Sequence, residues 1–280
     1  VIIAATQEMS FSDLPFHIHW DVYGIAAALL AGYWYALRRL APHQAPPTEP
    51  VVSRAQLISF HAGIVLFVVA RGWPLHDIGD QSLFTFHMIE HLVLSLGVPP
   101  LLLRGTPWWL LRMMVSPILP VMRVLTKPAV ALVLFNVTLA VIHIPVIVEL
   151  MLDSEAAHLL LHLLLMVTAL LMWWPVIGPI PDLPKLQPFP AMGYVFLQSL
   201  VPTVPASFLT FADAPIYRVY EAMPRLWGID VLTDQLIAGL IMKIGGGLVL
   251  WTVITVIFFS WALEEERAAS ASYPKVRSAP

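Results

Sequence analysis

LFTFHMIEHLVLSLGVPPLLL, residues 83–103, is the stretch whose reading decides the fold. A hydrocarbon core about 30 Å thick is crossed by roughly 20 mostly apolar helical residues, and this stretch has that length with no Lys or Arg inside it. It reads as a transmembrane helix. Its first turns nevertheless carry His87, Glu90 and His91, and ionisable side chains persist in lipid only where they face a bundle interior and find partners.

Six further blocks of similar character flank it, at 20–37, 55–70, 128–150, 157–174, 191–211 and 232–263, bounded by charge, Pro or Gly. The expected fold is therefore all-α: a polytopic membrane bundle of about seven transmembrane helices. Residues 108–125 are apolar but hold Arg112, Arg123 and two prolines, which suits a helix lying in the interface better than a further span. Residues 1–263 are expected to form one transmembrane domain and 264–280 a polar cytoplasmic tail. The opening VIIAAT lacks a basic n-region and is not a complete signal peptide.

Composition agrees. The chain has 280 residues, 59% hydrophobic and 12% charged, with a formal net charge of −3, so its bulk belongs in lipid and nucleic acid is not an expected partner. Without cysteine, disulfides, iron–sulfur clusters and thiolate metal sites are excluded. Basic residues gather on one set of connections: Arg38, Arg39 and Arg54; Arg104, Arg112, Arg123 and Lys127; Lys185; and Arg267, Lys275 and Arg277. The opposite set holds Arg71, Arg218 and Arg225. Cytoplasmic loops retain positive charge, so the N-terminus is expected outside and the C-terminus in the cytoplasm.

That topology gathers the chemistry at the outer ends of the helices. His87 and His91 share one helical face at i, i+4 with Glu90 beside them, and His158 and His162 repeat the spacing on another span. His143 precedes Pro145, which is expected to kink its helix. Asp234 opens the last span on the same side. Five histidines and one or two carboxylates thus point to a metal or haem site, and imidazole without thiolate suits copper or zinc. Met88, Met166 and Met242 are soft candidates that also serve as core filler. His61 reads as a packing residue, His17 and His19 as a loose surface pair, His76 as a solvated outer histidine, and Lys243, inside the last span, as half of a structural ion pair.

The motifs HMIEH (87–91), PPLLLRG (99–105), HIP (143–145), HLLLH (158–162), WWP (173–175), DQ (234–235) and IMK (241–243) occur in an order that resembles the CtaG-type cytochrome c oxidase assembly factor family. The resemblance runs from about 84 to 251. It implies a non-catalytic accessory protein of the bacterial plasma membrane that holds copper at the outer face and assists its delivery to a haem–copper oxidase. Its partners would be oxidase subunits, membrane lipid and a copper ion or copper carrier. It also implies His87, His91, His158 and His162 as ligands, His143 as a further ligand or neighbour, and Glu90 and Asp234 as groups orienting imidazoles. The same residues admit a zinc-dependent intramembrane hydrolase, a haem-binding electron carrier or a metal-free assembly scaffold.

Overall fold

The structure, a computed structural model, describes residues 8–183 and 185–272. The opening VIIAAT and the end of the expected polar tail, 273–280, lie outside the described residues. The elements are α1 (Trp20–Tyr35), α2 (Arg54–Arg71), α3 (Leu75–Gln81), α4 (Phe84–Gly105), α5 (Trp108–Leu125), α6 (Pro128–Ile142), α7 (Pro145–Asp153), α8 (Glu155–Ile177), α9 (Pro188–Thr210) and α10 (Val231–Ser270). Two short strands, β1 (Glu8–Met9) and β2 (Arg225–Leu226), pair in parallel.

Among the described residues six helical stretches are long and apolar enough to cross a membrane, and seven if α6 and α7, bent by 73°, count as one span. The expected break at Pro145 is thus a sharp one, because its ring cannot continue the preceding helix. Two differences from the sequence reading stand out. α1, expected as the first span, falls outside that set; its 16 residues continue through a π turn at Ala36–Leu40. α5 falls inside the set on length and composition, yet both its ends meet the same side of the bundle. It connects the C-terminal end of α4 to the N-terminal end of α6, and Trp109 Nε1 donates to Val51 O on the loop before α2 (2.9 Å). Arg112 likewise pairs at 2.7 Å with Asp182, on the loop after α8. A helix that begins and ends on one side runs along that side.

The bundle therefore has a far end, where α5 lies, and a histidine end, where α4, α8 and α10 begin and α2 and α6 finish. α2 packs on α4, α6 on α8 and α9 on α10. The α2–α4 crossing is close because Gly105 faces the backbone of Phe60. α4 survives Pro99 and Pro100 through a π turn at Val93–Gly97. Pro99 has no N–H for the Ser95 carbonyl, and Trp173 Nε1 on α8 supplies the donor instead at 2.9 Å.

Candidate metal centre

Position is set first by α4. Asp234, in the first turn of α10, accepts from the backbone N–H groups of Phe84 (2.8 Å) and Thr85 (2.9 Å) and is held in turn by Arg225 Nη2 at 2.9 Å. The carboxylate meets otherwise unpaired amides at the positive end of the α4 dipole. One turn later come His87, Glu90 and His91, all buried. The role expected for Asp234, orienting imidazoles, is corrected here: its oxygens go to a helix terminus and an arginine. Glu90 does meet imidazoles, accepting from His76 Nδ1 at 2.9 Å and lying 3.3 Å from His162 Nδ1.

The i, i+4 pairs face one another as their spacing predicted. Ring centroids are 4.3 Å apart within each pair, 5.8 Å between His87 and His158, and 4.8 Å between His91 and His162. Nitrogens of His87, His158 and His162 lie within 4.8 Å of one another, against about 3.4 Å around a tetrahedral ion with bonds near 2.1 Å. Small side-chain movements close that difference. His143 is farther, its ring 6.0 Å from that of His91, with Nδ1 donating to Leu139 O at 2.6 Å.

Hydrogen-bond bookkeeping fixes some tautomers. Arg71, buried at the end of α2, can only donate, and its Nη1 reaches Glu90 Oε1 and His162 Nδ1, both at 2.7 Å. His162 Nδ1 is therefore a lone pair, its Nε2 carries the proton, and that proton is given to His91 Nε2 at 2.8 Å. His91 Nδ1 must then bear a hydrogen, and it finds no acceptor. The 3.3 Å approach of Arg71 Nη1 to His76 Nδ1 joins two donors, because that same nitrogen already donates to Glu90, and it is not a bond.

Among the described residues, buried side-chain atoms without a hydrogen-bond partner concentrate here: Asp80 Oδ1, His87 Nδ1, His91 Nδ1, His143 Nε2 and His158 Nε2. Each such atom costs about 1–3 kcal/mol. The donor set fits a borderline transition-metal ion, with neutral nitrogens and no thiolate.

A second group adjoins the first. His76, Asp80 and His158 also bring ligand atoms within 4.8 Å of one another. They border an open cavity of about 750 Å³ that reaches His17 and His19. Those two histidines share the Asp77 carboxylate, at 2.9 and 2.8 Å. His76 is thus buried at the cluster, not a solvated outer residue. Asp80 and Arg71 were absent from the sequence-derived site altogether. The legible signal was the i, i+4 spacing of His76 and Asp80, lodged in a helix too short to register as a span.

A family model described as cytochrome c oxidase caa3 assembly factor (Caa3_CtaG) matches residues 31–264. The chain belongs to that family. The match takes in α2 through α9 and most of α10, with both candidate groups, whereas His17 and His19 precede it. Curated relatives include uncharacterized proteins of Mycobacterium bovis and Mycobacterium tuberculosis, each 24% identical over 88% of this chain, and one of Mycobacterium leprae, 22% identical over 87%. The chain spans 39% of the length of these relatives. No solved structure matches.

The remaining candidates fall away from the two groups. His61 Nδ1 donates to Leu57 O at 2.8 Å beside Tyr33, Trp34 and Phe60, as a packing residue does. Met88 and Met242 line a small cavity past His91 together with Met172, while Met166 packs in a separate cluster with Ala70, Leu94 and Val98. Lys243 overlooks the Met-lined cavity from a π turn in α10. Among the described residues its side chain has no hydrogen-bond or ion-pair partner, so the expected structural ion pair is not formed. In the segment closing the histidine end, Tyr217 and Tyr220 donate to His143 O (2.9 Å) and Gly79 O (3.0 Å). Burial pushes both hydroxyls up, which keeps them as donors.

Proposed function

We propose that the chain holds copper through His87, His158 and His162 at the outer face of the bacterial plasma membrane and assists its delivery to a haem–copper cytochrome c oxidase. The observation that carries this reading is the concentration of unpartnered buried nitrogens on facing helices within a family of oxidase assembly factors. An ion held by this set can satisfy the unpartnered nitrogens of both His87 and His158, with His162 as the third ligand. His91 accepts from His162 Nε2 and stands beside the site, and Glu90 retains Arg71 when His162 turns its lone pair to the ion.

The oxidase subunits and a copper carrier are the partners this reading requires. Elemental analysis of the detergent-purified protein, with an absorption spectrum on the same sample, tests it. Near-stoichiometric copper is expected, lost when His158, the histidine common to both groups, is replaced together with His87 and His162. Zinc would favour a hydrolase, iron with a Soret band a haem protein, and no metal an assembly scaffold; any of the three overturns the copper reading.

A further inference from the structure

We propose that His76, Asp80 and His158 form a second, outer cation site that loads the inner site through the histidine they share. The inference deepens the copper reading and rests on it.

His76 Nε2 and His158 Nδ1 approach the same oxygen, Asp80 Oδ2, at 3.5 and 3.3 Å, and Asp80 Oδ1 lies 3.7 Å from His87 Nδ1. Asp80 is the hinge between the groups. Its side chain is 25% exposed toward the large cavity, whereas those of His87 and His162 are 3% and 5% exposed. An ion arriving from water therefore meets Asp80 before His87 or His162. The imidazoles mark a continuous path inward, with ring centroids 5.0 Å apart from His19 to His76, 5.2 Å from His76 to His158 and 4.3 Å from His158 to His162.

Donor chemistry changes along that path. Two imidazoles and a carboxylate suit a divalent first-row cation such as Cu²⁺ or Zn²⁺, and the carboxylate offsets part of the charge an ion brings when it leaves water. The inner site offers imidazole alone. A neutral imidazole has one free lone pair, so His158 serves one ion at a time and the two sites are filled in sequence. Transfer is a ligand exchange without redox change: bonds to His76 and Asp80 break, bonds to His87 and His162 form, and the bond to His158 persists. Arg71 releases the His162 lone pair and keeps Glu90.

The test uses the full-length protein in detergent, stripped of metal, with Cu²⁺ alone as probe. A His87→Gln, His162→Gln variant removes the inner site while leaving Arg71 an acceptor. It is expected to retain about one Cu²⁺ with two coordinated nitrogens by electron paramagnetic resonance, surrendered to EDTA at least ~10-fold faster than from the unaltered protein. Adding Asp80→Asn should weaken that residual binding by about 10–100-fold. If the double variant holds no Cu²⁺ while the unaltered protein does, the outer site is wrong and the copper reading stands. If the unaltered protein holds none, both fall. Should the double variant fail to fold, Asp80→Asn alone decides, since stopped-flow Cu²⁺ loading slowed about 10-fold supports the relay and an unchanged rate overturns it.

Discussion

Asp234 and Glu90 are both buried carboxylates at the histidine end, and their partners separate their work. Asp234 joins α10 to the first turn of α4 and neutralises Arg225, so Asp234→Ala leaves a buried guanidinium unpaired and two amides uncapped. Losses of about 3–5 kcal/mol follow from such a break. A large drop in thermal midpoint in detergent, with copper content per folded molecule retained, is the expected result; a midpoint near that of the unaltered protein would remove Asp234 from this role. Glu90 instead holds Arg71 and His76 beside the inner nitrogens. Glu90→Gln is expected to lower copper affinity by about 10–100-fold, measured by competition with a chelator. The histidine pairs were readable at this scale because i, i+4 spacing on an apolar helix is a local signal. The partners of Asp234 were not, since α4 and Arg225 reach it only through tertiary packing.

Among elements, the crossing of α2 and α4 depends on Gly105. A Cβ there would run into the backbone N of Phe60 and lie 2.6 Å from its Cα, and backbone atoms cannot turn aside as a side chain does. Gly105→Ala is expected to destabilise the protein by about 1–3 kcal/mol, seen as a lower thermal midpoint; an unchanged midpoint would show that the helices separate freely. Most helices were legible because membrane thickness imposes a length on apolar runs. α3 was not, being short and polar, and with it went Asp80 and the inward placement of His76. The break at Pro145 was legible as chemistry, and its 73° angle was not, because the direction of a chain after proline is set by what it packs against.

At the scale of the whole molecule, a chain without cysteine lends itself to mapping by introduced thiols. Glu49→Cys and Lys127→Cys are expected to react with an impermeant maleimide from the cytoplasmic side, and Asp153→Cys from the outside. Labelling of positions 49 and 127 from opposite sides would mean that α5 crosses the membrane.

Lys243 has one more consequence. At 1.5 Å per residue it lies about 18 Å along α10 from Val231, on the small apolar cavity past His91. A cation entering that cavity from the histidines would meet a side chain that, as an ammonium, offers donors and no lone pair. Repulsion near 4 Å is about 4 kcal/mol at an effective dielectric of 20, before dehydration is counted. The cavity past His91 would thus be a poor onward route for a cation, and the open cavity beside Asp80 would serve for both entry and exit, on one side of the bundle.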